Sequence, residues 1–211
     1  MAYPRRMAAH RGATRAPLAG LTALAALALS ACGSSASTTA TDTHESSPSA
    51  PSSSTAPPAV RPASGPVLSA RGFSFHAPKG WADVTDQARN GVLLYAADPT
   101  DENPLMITVR HRAHAPSSVA GAARAAARML AAAGGTRIGI RPPVPVGGNH
   151  AAHVLATQAK PGTHYQLDAY YVLTGRDGWL ITFATNQYTT TARRQAMLAS
   201  VLATCHWRSS T

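Results

Sequence analysis

Four histidines fall into two pairs of the same spacing, His111-x-x-His114 and His150-x-x-His153. Imidazoles three residues apart share a metal ion when both leave the same face of a helix. Both pairs sit instead in stretches that alternate apolar and polar residues as strands do. On a strand, positions i and i+3 point to opposite sides, so these read as exposed or half-buried histidines and no metal is expected. Asp98, Asp101 and Glu102 crowd one polar loop, without the D-x-[DN]-x-[DN]-G spacing that arranges oxygens around calcium. A pair of carboxylates for glycoside hydrolysis is short of material, because most of the acids beyond residue 65 lie in loop-like segments without partners. The serine-hydrolase elbow G-x-S-x-G, S-x-x-K, G-x-G-x-x-G, the P-loop and H-E-x-x-H are absent. No catalytic residue and no dissociable cofactor are expected, and the chain reads as a non-enzyme.

One cysteine does stand where chemistry is expected. Met1 to Pro17 carries Arg5, Arg6, Arg11 and Arg15 and no acid, and Leu18 to Leu29 is an uncharged apolar run of 12 residues. That length suits the core of a signal peptide and falls short of the ~20 residues that span a bilayer. Leu29-Ser30-Ala31-Cys32 follows at once. Small residues let an extended backbone enter a signal peptidase, so cleavage is expected between Ala31 and Cys32. The four residues resemble the bacterial lipobox. That resemblance implies a diacylglyceryl group on the Cys32 thiol and an acyl chain on the amino group freed by cleavage. Several acyl chains hold a domain stably where a single one is marginal. The expected location is the extracytoplasmic face of the cell membrane, anchored through lipid. Arg5-Arg6 leaves twin-arginine export open beside general secretion, although Pro4, Met7 and Ala8 fit that motif poorly.

The remainder divides into a tether, 32–65, and one domain, 66–208. The tether is mostly Ser, Thr, Ala and Pro, with Val60 its sole aliphatic residue larger than alanine. Such a segment cannot bury enough surface to offset its ordering entropy, so a disordered spacer reaching about 30 Å is expected. Its composition permits O-glycosylation. Cys205 then has no disulfide partner and reads as a small buried apolar residue closing the last helix. The formal charge of +10 includes the four leader arginines; without them it is +6, dispersed and rich in arginine. No basic cluster with interleaved aromatics appears, which speaks against nucleic acid. Weak attraction to anionic lipid or wall polymers is expected instead. The bias toward Ala, Arg, Gly and Pro suggests a high-GC genome, hence an actinobacterium.

The elements follow from periodicity. Phe73-Ser74-Phe75, Val92 to Ala97, Leu105 to Arg112, Thr136 to Arg141, His150 to Ala159, Tyr165 to Leu173 and Trp179 to Thr185 read as strands. Gly175-Arg176-Asp177-Gly178 turns the last pair into a hairpin, and Pro142 to Gly148 reads as a loop. A helix capped by Ser117 or Ser118 should end at Gly134-Gly135, with Val119, Ala122, Ala123, Ala126, Leu130 and Ala133 on one stripe and Arg124 and Arg128 opposite. A second runs from about Thr189 to Thr204, burying Leu198, Val201, Leu202 and Cys205 against a polar side with Arg193 and Arg194. Hairpin-joined strands with two helices imply an α+β fold: an antiparallel sheet of six to seven strands covered by two main helices.

In order, Phe73, Phe75, Pro78, Gly80, Trp81, the mid-chain helix, the hairpin with Asp177-Gly178 and the closing helix resemble the PsbP-like α/β/α sandwich. Among lipoproteins the resemblance is to the LpqN/LpqT type of actinobacteria. It implies a binding or accessory protein of larger assemblies, and it carries over no site residue. Within the chain itself, Trp81, Tyr165, Tyr171 and Trp179 read mainly as core aromatics. Tyr170 alternates away from Tyr165, Leu167 and Tyr171, and is expected to be exposed. Arg110 and Arg112, on the polar side of their strand, are expected to join it in a partner-binding patch. The expected function is therefore a lipid-anchored, non-catalytic module that binds an envelope protein or a wall or lipid component. The alternative is a carrier holding a lipid or other hydrophobic small molecule between sheet and helix.

Overall fold

The computed structural model describes residues 60–208. The signal peptide, the Ala31–Cys32 cleavage and lipidation site and most of the tether lie outside the described residues. Backbone pairing begins at Ala63, whose N–H donates to Ser200 O, and Gly65 N donates to Ala77 O.

The chain opens with a hairpin, β1 (Val67–Ala70) and β2 (Phe73–His76). Arg71 and Gly72 turn it with φ of 48° and 79°, the backbone a type I′ turn requires. Pro78 to Trp81 closes a second turn, Trp81 N donating to Pro78 O with Gly80 at φ 87°. Then come β3 (Ala82–Asp83), a 3-10 turn (Thr85–Gln87), β4 (Leu94–Ala97), β5 (Met106–Ala113) and α1 (Val119–Ala132). Four long strands follow: β6 (Thr136–Val146), β7 (Asn149–Lys160), β8 (Thr163–Thr174) and β9 (Asp177–Asn186). The chain closes with α2 (Thr191–Leu202) and β10 (His206–Trp207). Seven strands form one antiparallel sheet in the order β3-β4-β5-β9-β8-β7-β6, and β1-β2-β10 form a smaller one. The α+β class and the strand number are those expected.

Each helix takes its own face of the large sheet. On one side Ala122, Ala123, Ala126 and Leu130 of α1 pack with Ala152, Val154, Leu167, Ala169 and Tyr171. The small side chains let α1 lie close to the strands, and Ser118 caps it by accepting from Gly121 N at 3.1 Å. On the other side Leu198, Val201 and Cys205 pack with Phe73, Phe75, Val109, Tyr170, Val172, Ile181 and Phe183. The centre of the sheet is thus buried on both sides, and β8 shows it with six consecutive buried residues, Leu167 to Val172.

Two differences from expectation have local causes. β6 continues through Pro142, Pro143 and Pro145 where a loop was expected. It is an edge strand, so the missing N–H groups cost no ladder bonds, and a register shift between Arg141 and Val144 absorbs the irregularity. The short strands β1, β3 and β10 carry too few residues to show a period of two. Among the described residues no helix is long and apolar enough to cross a membrane.

Candidate functional site: two grooves on opposite faces of the sheet

Register decides which side chains meet. Arg110 of β5 stands opposite Leu180 of β9, which stands opposite Tyr171 of β8, so these three share the α1 face. Arg141, His153, Tyr170 and Ile181 form the corresponding row on the α2 face. The sheet therefore separates Tyr170 from Arg110 and Arg112. The expected exposed patch of all three does not exist as one surface. Tyr170 is also buried, at 5% exposure, because α2 roofs the face that alternation alone left open. Its ring meets Phe183 edge-on at 5.8 Å, and burial, then the nearby Asp168 carboxylate, push its hydroxyl pKa well above the usual tyrosine range.

On the α1 face, the helix packs over β6, β7 and β8, with Leu180 and Ala184 of β9 buried in the same cluster, and β4 and β5 lie beyond it. The step between them is a groove of about 580 Å³. Its floor includes Met106, Met129, Leu167 and Leu180, and its cations are Arg110, Arg112 and Lys160, with no carboxylate among its lining residues. The Arg110 guanidinium donates to Asn90 O. Burial and the like charge of Arg112 lower the Arg110 pKa from its ordinary value. Lys160 Nζ lies 5.4 Å above the Tyr165 ring.

On the α2 face, a second groove of about 580 Å³ runs between α2 and strands β6 to β8. Asp168, 3% exposed, sits at its base. His153 Nε2 donates to Asp168 Oδ1 at 3.1 Å, and the His153 ring stacks on Tyr170 at 4.5 Å and 9°. Arg194 Nε approaches Asp168 Oδ2 at 3.8 Å, an ion pair too long to be a hydrogen bond. Neither of those two atoms has a hydrogen-bond partner among the described residues. An ionised group at this depth needs a partner, which is why Arg194 turns inward from the side of α2 expected to be polar. The sequence signal for Asp168 is an acid in the middle of a strand that is otherwise largely aromatic and aliphatic.

A histidine held by a buried aspartate resembles two-thirds of a nucleophilic triad. Among the described residues lining this groove, however, there is no serine, threonine or cysteine, and the one hydroxyl is that of Tyr170, whose pKa burial raises. Cys205 is buried elsewhere in the core, its thiol pushed up to about 12 by burial. The paired histidines stay apart. His111 engages Asp177 at 3.3 Å and tilts against Trp179, whereas His114 lies past the end of β5 with φ 59°. His150 is exposed, away from the His153 cluster. The loop acids serve their own loop: Asp98 accepts from Thr100, and Asp101 ties Asn103 N and Asn186 Nδ2 together.

Solved structures share this architecture. A point mutant of the protein Mog1 matches with a TM-score of 0.52 at 10% identity, over 70% of this chain and 97% of that one. The fold is like that of Mog1. LpqN of Mycobacterium tuberculosis, described as involved in cell envelope biogenesis, matches at 0.49 and 13% identity, over 64% of this chain and 83% of its own. The cyanobacterial PsbP of Synechocystis matches at 0.45 and 13% identity, over 64% and 86%. No family model and no curated protein matches the chain. At such identities the likeness speaks of architecture alone.

Proposed function

We propose that the protein is a lipid-anchored, non-catalytic binding module of the cell envelope, and that the α1-side groove holds an acidic, partly apolar segment of an envelope protein. One observation carries this reading: an apolar stretch of sheet left without a helix and bordered by three cations and no acid. Two guanidiniums on one strand repel each other, and a bound carboxylate relieves that repulsion while Met106, Met129 and Leu180 desolvate the contact. The flexible thioethers suit a surface that adapts to its partner. The test places a photo-crosslinking residue at position 108, inside the groove, in living cells. A reproducible adduct with one envelope protein is expected, lost when Arg110→Glu and Arg112→Glu are introduced together. An adduct pattern unchanged by the double substitution would rule this reading out.

The carrier alternative finds its support on the other face. There the groove between sheet and α2 lies within the ~300–1,000 Å³ usual for small-molecule sites.

A further inference from the structure

The α2-side groove is polarised along its length. Arg194 lies in the first turns of α2, while Leu198 and Leu202 follow at one-turn intervals toward the C-terminal end. From Arg194 to Leu202 the helix rises about 12 Å at 1.5 Å per residue. The strands run in step with it. Asp168 and Leu155 pair in the row next to Arg194, Tyr170, His153 and Arg141 form the next, and Val144 pairs with Ala151 in the row beyond. One end of the trough is therefore ionic and the other aliphatic.

The ionic end is built rather than incidental. Asp168 lies 3.8 Å from the Nε side of the Arg194 guanidinium, an ion pair that does not use its terminal nitrogens. His153 occupies the other carboxylate oxygen and is itself held flat by Tyr170. Arg141, directly across the ladder from His153, adds a second guanidinium from the edge strand. The first turn of α2 contains no acid, so Asp168 is the sole anion facing two arginines and the positive end of a helix. Its Oδ2 and Arg194 Nε are both left without a hydrogen bond. An anion placed between Arg141 and Arg194 completes the charge balance, and an apolar body attached to it lies along Leu198, Leu202 and Val144.

We infer that this groove binds a small amphiphilic monocarboxylate, its carboxylate between Arg194 and Arg141 and its aliphatic body directed toward the C-terminal end of α2. This rests on the carrier reading of the groove and not on the α1-side site. Arg194 and Arg141 set specificity, and Asp168 and His153 are positioning residues that act through Arg194.

The test titrates the domain with decanoate and, separately, with decan-1-ol, by calorimetry and by amide chemical shifts along α2. Decanoate is expected to bind one to one and to shift the amides of Leu198 and Leu202, at least tenfold more tightly than the alcohol. Arg194→Met and Arg141→Ser should each weaken decanoate at least tenfold and leave the alcohol's affinity unchanged. Arg141 lies exposed on an edge strand, so its variant reports binding even if Arg194→Met impairs folding. Equal affinity for acid and alcohol, or decanoate binding that is indifferent to both arginines, overturns the inference while sparing the carrier reading. Binding of neither compound overturns both.

Discussion

Cys205 lies just past the end of α2 with its sulfur 3.8 Å from Val201 O, and it is buried. Burial raises its thiol from an ordinary 9.0 to about 12, and Tyr170 is shifted in the same direction from 10.0. Both groups are neutral when protonated, so the native state keeps protons that the unfolded chain gives up. Their contribution is complete below about pH 9 and is lost progressively as the pH rises toward 12. Thermal melts between pH 7 and 11 should show a level midpoint up to about pH 9 and a decline above it. Cys205→Ala should make that decline shallower; identical slopes in the two proteins would show that the thiol is not so buried. Tyr170 teaches a related point. Its alternation away from Tyr165 and Tyr171 was readable, but alternation names two faces without saying which of them meets water.

At the scale of elements, α1 shows how much a period and a cap can specify. Ser118 and the alanine stripe were legible in advance, and the stripe is what allows close approach to Ala152, Val154 and Ala169. Ala126 is fully buried at that contact. Ala126→Leu should overpack it and destabilise the domain by about 1–3 kcal/mol in denaturant unfolding. A leucine at the exposed Arg124, on the opposite side of the same helix, should change stability by less than about 0.5 kcal/mol. Equal effects at the two positions would contradict the packing described. β6 was less legible, because three prolines within four residues argue against a strand unless its edge position is known.

At the scale of the whole chain, the anchor and the domain make separate statements. The domain supplies grooves, and the proposed function takes its address from the lipobox-like Leu29 to Cys32. Because backbone pairing starts at Ala63 against α2, the tether joins the domain beside the helix that roofs the second groove. If Cys32 bears the acyl groups, Cys32→Ala should abolish metabolic labelling with a lipid precursor and move the protein out of the membrane fraction. A variant still labelled and membrane-bound would remove the anchor from the proposed function. The groove chemistry is tested separately, since the residues named for it run from Asn90 to Leu202.

What the sequence determined by itself was local: apolar periods, helix caps, hairpin turns and the α+β class they add up to. Each of these depends on neighbours a few positions away along the chain. Only the tertiary structure decided which face of each strand is covered, because that depends on where helices distant in sequence come to rest. Arg110 thus lost Tyr170 and gained Leu180 and Tyr171 as row partners. His153, Asp168 and Arg194, drawn from three elements, became one cluster because a buried carboxylate must find positive charge wherever the fold brings it.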